Sequence, residues 1–449
     1  MPEMIKKLLR GRTLVSGAVI IAAGGFISKI FGALYRIPLA GILGGEGMGI
    51  YQMVYPLYCI LLTVSASGIP AGIARLTASG ERGVAGRAFG LYAFIGALGA
   101  ALMFALSRPL ALAQGEPAVE LCCMLLSPAV FFVSLLAVVR GWFQGSGNML
   151  PTAVTEVLEQ LIKVLTGVAF AVYFRHDLAL AVASTLFAVT VSEAACALFA
   201  FVLYVGARGR RPLYRERSVS RRNILKFTVP LTFTAMAMPL SQLAESIVAV
   251  NLMRAVTPEA TALYGVFSGC AVTMINLPVS LTYGLAVAGV PAISPLAASG
   301  DTGGAVRLAK KCILFTLAVS LPCAAALFAF APFAARLIFS SLSRAQSALL
   351  IKLVRIMSVN AVTLSLVQTA SACLNALGRP LYATAVQWFT CILRVALTAV
   401  FIRYGGLLAE GAAVAANIAY FVAAALELWY IIRNGKKQRF VFGLKRRKV

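Results

Sequence analysis

Apolar runs of twenty residues or more follow one another from end to end of this chain, and its cations gather in alternate gaps between them. About 20 apolar residues, wound as a helix, cover the ~30 Å of a bilayer's hydrocarbon. Hydrophobic residues make up 60% of the chain and charged residues only 12%. A soluble core cannot enclose that much apolar surface, so lipid is the solvent for most of it.

The runs predict an all-α integral membrane protein of about twelve spans: 13–39, 50–73, 85–106, 118–139, 151–174, 178–205, 223–250, 262–296, 305–331, 346–374, 380–402 and 410–432. Lys and Arg favour the cytoplasmic side of a membrane. They crowd the N-terminus, the central stretch from Arg208 to Lys226 and the tail beyond Arg433. The opposite gaps hold only Arg36, Arg108, Arg175, Arg254, Arg336, Arg344 and Arg403. Both termini are therefore expected in the cytoplasm, with an even number of spans. The first apolar run is too long for a cleaved signal peptide and has no clean small-x-small site.

A net charge of +25 also suits nucleic acid, but these bases border helices and lack aromatic interleaving. Anionic lipid headgroups are the expected partner and nucleic acid is not. Nine scattered cysteines without a C-x-x-C and a lone His176 exclude a zinc site or a histidine-based triad. No G-x-x-x-x-G-K loop occurs, so the chain holds no ATPase of its own. No cofactor or metal is expected, no enzyme chemistry is assigned, and a coupling ion, Na⁺ or H⁺, stays open.

Six spans look used twice. GIPAGIARLTASG (68–80) resembles GVPAISPLAASG (289–300), and in the same order Gly147, Glu156 and Lys163 correspond to Gly378, Gln387 and Arg394. Equal span number and orientation make these parallel repeats, which place a substrate site near the midplane between lobes. The expected lobes are 1–205 and 223–433, joined by a basic cytoplasmic linker, 206–222, and followed by a basic tail, 434–449.

Charges inside a bilayer are costly and mark cavities or partners. Lys29 and Arg36 share a face of the first span, and Glu156, Glu159 and Lys163 share one of the fifth. Glu193 lies in the sixth, Glu245 in the seventh and Arg394 in the eleventh. Glu159 and Lys163, four apart, either neutralise each other or bind ligand. Glu193 pairs locally, while Glu427, Lys352 and Arg355 sit near span ends in solvent. Lys29 and Arg394, with no acid within a turn, are assigned to a cavity. The glycine-rich 41–51 is expected to be a tight extracytoplasmic turn.

Several of these blocks resemble stage V sporulation protein B-like proteins. They are ISKIFGALYRIPLAGILGGEGMGIYQMVYPLY (27–58), RGWFQGSGNMLPTAVTEVLEQLIKV (140–164), Glu245-Ser246 with Arg254, Asn276-Leu277-Pro278, Pro291-Ala292-Ile293-Ser294 and Leu374-Asn375-Ala376-Leu377-Gly378. That family belongs to the multidrug/oligosaccharidyl-lipid/polysaccharide (MOP) exporter superfamily. The resemblance implies a V-shaped, MATE-like transporter with two six-helix lobes. It implies a polyprenyl-diphosphate-linked oligosaccharide as substrate, a peptidoglycan precursor, in the bacterial cytoplasmic membrane. In flippase relatives first-span cations line the central cavity; Lys29 matches such a position and Arg36 lies near another. Many relatives carry two further C-terminal spans, and this chain stops after twelve.

The resulting expectation is an alternating-access flippase whose cavity residues are Lys29, Arg36, Lys163, Arg394, Glu159, Glu245 and Asn276. Fixed cations replace the hydration of a diphosphate. A cation-coupled multidrug extruder, built on Glu156, Glu159 and Glu245, is the alternative. A membrane glycosyltransferase ranks lower, since no outside gap reaches the size such a domain needs.

Overall fold

The computed structural model describes residues 14–436 apart from 68, 79–83, 209–232, 234, 288, 340 and 341. The expected linker and tail therefore lie almost wholly outside the described residues. Among the described residues the fold is helical without a strand. The helices are α1 (Leu14–Leu62), α2 (Ile69–Ala78), α3 (Val84–Ala105), α4 (Ser107–Gln114), α5 (Ala118–Gly145), α6 (Leu150–Tyr173), α7 (Leu178–Arg208), α8 (Ala237–Arg254) and α9 (Ala260–Tyr264). They continue as α10 (Val272–Val287), α11 (Ile293–Ala298), α12 (Thr302–Ile338), α13 (Arg344–Ala376), α14 (Pro380–Arg403) and α15 (Ala409–Lys436).

Among the described residues nine helical segments are long and apolar enough to cross a membrane. One, Ala23–Ser65, carries the expected first and second spans. Two helices meet in its glycine-rich middle at a tight break on Gly44, inside the segment 41–51 expected to turn; the φ of 65° there lies in the left-handed region. Glycine adopts that conformation without a Cβ clash. The expected fifth span is α6, 24 residues long, less apolar than the nine because it carries Glu156, Glu159 and Lys163.

Two compact units form, Met1–Gly269 and Cys270–Val449. This division falls later in the chain than the 205/223 boundary expected from the repeat. The reason is that α8 and α9 pack against α1. Gln114 Nε2 donates to Met53 O at 3.1 Å and to Ser246 Oγ at 2.9 Å. Asn251 Nδ2 donates to Ala113 O at 2.7 Å. Arg254 donates to the Gln114 carbonyl and to Thr261 Oγ1, and meets Glu116 at 3.5 Å. Gly49 completes the seam, since a Cβ there would stand 2.9 Å from the Thr261 carbonyl carbon.

Lipid is as apolar as a leucine side chain, so helices in a bilayer associate through close packing of small residues and polar contacts. In the first unit Gly141 of α5 lies so near α2 that a Cβ would sit 2.9 Å from both Ile73 Cβ and Pro70 Cα. Around that contact Ile69, Ile73, Tyr92, Val133 and Ala137 are buried together. In the second unit Ile293, Val306, Ala370, Leu374, Val386 and Ala424 form the core of α11 to α15. The outer faces remain apolar: Phe94 and Leu98 on α3 are 68% and 58% exposed, as lipid-facing positions require.

Candidate functional site

The site grows from one stripe on α6. Glu156, Glu159, Lys163 and Gly167 recur every three or four residues and so share a face. α1 lies along that face in the same direction. Gly24 packs on Ala153, with a built Cβ only 2.8 Å from the Ala153 Cβ. Gly25 follows beside Glu156, Gly32 beside Gln160, and the Tyr35 hydroxyl fits over Gly167. Small residues on α1 thus bring its backbone against the charged stripe.

Two further helices, α5 and α7, supply partners. Arg140, near the end of α5, donates from Nη2 to Glu159 Oε2 at 3.1 Å and from Nε to Thr155 Oγ1 at 2.9 Å. The arginine and glutamate side chains are 14% and 17% exposed. Glu193, on α7, is buried; its Oε1 accepts from the Tyr58 hydroxyl of α1 at 3.5 Å, and Glu159 lies within electrostatic reach of it. Gln160 Nε2 donates to Glu159 Oε1 at 3.4 Å. Lys163 is only 8% exposed. Glu159, Glu193 and Arg36 act on its charge through space, and among the described residues no hydrogen bond or salt bridge holds its Nζ.

The residues expected at the site divide into groups. Arg36 and Glu159 both lie within electrostatic reach of Lys163 in the first unit. Lys29 lies in α1 between Gly25 and Gly32, but its side chain falls outside the described residues. Glu245 is buried on α8 of the same unit. Arg394 belongs to the second unit, where its Nη1 donates to the Tyr420 hydroxyl at 2.9 Å and its guanidinium stands 5.7 Å from that ring's centroid. Asn276 is half-buried on α10 of the second unit.

Two expectations change. Glu159 does not pair with Lys163 four residues on; it pairs with Arg140 from the neighbouring helix, which α5 carries into the protein by running on to Gly145. Glu427 is wholly buried instead of solvated, accepting from Ser371 Oγ at 2.6 Å. Lys352, by contrast, is exposed and pairs with Glu410 at 3.0 Å. Among the described residues no group of three or more His, Cys, Asp or Glu is placed to hold a metal ion.

The fold agrees with what the chain resembles. The model of the family described as polysaccharide biosynthesis protein matches residues 14–297, more than half of the chain. The chain belongs to that family. It is 27% identical over 312 residues to stage V sporulation protein B of Bacillus subtilis, an alignment covering 63% of this chain and 58% of that protein. It is 23% identical over 336 residues to the lipid II flippase MurJ of the same organism, covering 66% and 60%. The aligned region thus spans less than two thirds of either relative. Among solved structures, an inward-facing multidrug resistance MATE family transporter of the MOP superfamily superposes with a TM-score of 0.77 at 19% identity, covering 92% of this chain and 95% of that one. The lipid II flippase MurJ in an inward closed conformation gives 0.72 at 12% identity, covering 94% and 90%. The fold is the one these solved structures share, an all-α, multi-pass membrane architecture.

Proposed function

We propose that the chain is an alternating-access flippase for a polyprenyl-diphosphate-linked oligosaccharide, a peptidoglycan precursor, and that it works in the bacterial cytoplasmic membrane with both termini inside. The observation that carries this reading is Lys163: a nearly buried amine, free of hydrogen bonds among the described residues, inside a transporter fold. A membrane protein does not keep an ammonium in low dielectric without use. A diphosphate is the complementary charge, and an amine that spends no hydrogen bond at rest has three donors to offer it. Arg36 acts on the same region and adds a second cation; Lys29, about two turns earlier on α1, is assigned to the same cavity.

The repeat organisation, 1–205 and 223–433 about the linker 206–222, gives Arg394 the place in the second repeat that Lys163 has in the first. Glu245 and Asn276 are kept as cavity residues of α8 and α10. The lipid tail stays in the bilayer while the headgroup crosses, and anionic lipids contact the basic tail 434–449. The sugar-lipid is the substrate and no catalytic step is assigned.

Proteoliposomes loaded with a labelled polyprenyl-diphosphate disaccharide test this. Lys163→Ala is expected to lower headgroup translocation at least tenfold with normal insertion, and Lys163→Arg to keep part of it. An unchanged rate in Lys163→Ala overturns the assignment. A second reading, a cation-coupled multidrug extruder, draws on Glu156, whose Oε2 is buried without a hydrogen-bond partner. Uptake of an organic cation that is lost in Glu156→Gln, with no movement of the sugar-lipid, decides for it.

A further inference from the structure

Helix α12 of the second unit carries three cations near its start. Arg307, Lys310 and Lys311 are spaced i, i+3 and i+4, so they share one face, and all three are exposed. Among the described residues no ion pair or side-chain hydrogen bond holds them. The nearest acid along the chain, Asp301, is engaged as the helix cap, accepting from the Gly304 amide at 2.8 Å. Like charges at this spacing repel, and cations are misplaced at the positive end of a helix dipole. The triplet therefore weakens its own helix unless an anion from outside meets it.

The sidedness of the membrane asks for less. The duplicated motifs end on Gly80 and Gly300, and counting on from them sets Arg87 against Arg307 but Gly90 and Leu91 against Lys310 and Lys311. The same count matches Tyr92 with Cys312 and Gly96 with Thr316, all buried. Helix α3 thus meets the preference for cations on the cytoplasmic side with Arg87 alone, and α12 adds two more at the same place.

The depth suits a lipid headgroup. From Cys312 to Ala335 α12 has no charged residue. That stretch is about 36 Å of helix at ~1.5 Å per residue, against ~30 Å of hydrocarbon, so the cations stand at the level of lipid phosphates. Beyond them the ridge continues in Leu314, Phe315 and Leu321, all exposed. The apolar stretch of α12 is 17% buried, the lowest share among the nine.

We propose that Arg307, Lys310 and Lys311 hold the headgroup of an acidic phospholipid, with its acyl chains along Leu314, Phe315 and Leu321. An ionised phosphate accepts from arginine and lysine together. A zwitterionic headgroup brings its own ammonium to three cations and is disfavoured. The occupant is a resident of the membrane and not a transported molecule, because this ridge looks outward along the helix while the opposite face packs into the core of the second unit. The site does not depend on the flippase reading.

Native mass spectrometry of the full chain tests it, with protein released from micelles doped with phosphatidylglycerol or with phosphatidylcholine of the same acyl chains. The wild type is expected to keep a tightly held phosphatidylglycerol whose occupancy falls at least about tenfold in Arg307→Gln/Lys310→Gln/Lys311→Gln. Lys445→Gln/Arg446→Gln/Arg447→Gln removes as much charge from the tail and is expected to leave that lipid in place. Circular dichroism reports whether each variant is folded. If the α12 triple variant is not, Lys311→Gln alone serves and is expected to lower the occupancy about threefold. Unchanged occupancy in a folded α12 variant, an equal loss in the tail variant, or equal retention of phosphatidylcholine overturns the proposal. So does full displacement of phosphatidylglycerol by an equimolar polyprenyl diphosphate, which would assign the ridge to a lipid-linked substrate. None of these measurements reads translocation, so failure here leaves the Lys163 test standing, and the reverse also holds.

Discussion

Arg140→Met tests the central ion pair. The pair separation of 3.1 Å corresponds to a Coulomb attraction of about 5 kcal/mol at an effective dielectric of ~20. The substitution keeps the apolar length of the side chain but strands Glu159 and deprives Thr155 Oγ1 of its donor at 2.9 Å. Breaking a buried pair from one side costs about 3–5 kcal/mol, since the remaining charge is uncompensated. Both side chains are less than one fifth exposed, so solvent screening removes little of that. Arg140→Met/Glu159→Gln removes both charges and is expected to recover much of the loss, with a coupling energy of about 2 kcal/mol. Reversible unfolding in mixed micelles, followed by helical circular dichroism across the four proteins of the cycle, supplies these numbers. A coupling energy below about 0.5 kcal/mol, or a single-variant cost of less than about 1 kcal/mol, refutes the reasoning.

Other outcomes are checked by the same unfolding assay or by exchange. Gly141→Ala forces a methyl to 2.9 Å from Ile73 Cβ and Pro70 Cα and should cost about 1–3 kcal/mol despite alanine's better helix propensity. Ser371→Ala removes the hydroxyl that donates to buried Glu427 at 2.6 Å and should cost about 1–3 kcal/mol; Glu427→Gln, which needs no charge stabilised, should cost less. Arg254→Ala frees the Gln114 carbonyl, Thr261 and Glu116; hydrogen exchange should speed up in 107–116 and 260–264 while the α5–α7 amides stay protected.

Much of the membrane architecture was legible in the chain because lipid imposes one rule: every span must be apolar and helical to satisfy its backbone. Helix α3, Val84–Ala105, lies within a residue of the expected 85–106. The stripe Glu156, Glu159 and Lys163 was equally legible, since helical spacing alone puts those residues on one face. What the stripe would touch was not. Glu159 had Lys163 as its nearest candidate along the chain, yet the partner is Arg140 across a helix interface. Glu193 was expected to pair locally, and its Oε1 accepts from Tyr58 of another helix. Pairing of this kind depends on helix rotation and depth, which periodicity does not encode. The break at Gly44 was legible in the glycine cluster 41–51, where a tight turn was expected; the close approach of Gly49 to Thr261 was not.

The turn from Ser146 to Met149, with Gly147 at φ 76°, joins the two helices that Arg140 and Glu159 bridge. An acid-bearing span such as α6 is a poor passenger for membrane integration when it arrives alone. Here its counter-charge lies just upstream, on a helix already synthesised. α5 and α6 can therefore leave the ribosome's exit and enter the bilayer as one neutralised hairpin, before α7 delivers Glu193. The order of residues along the polypeptide thus serves biogenesis as well as the folded protein.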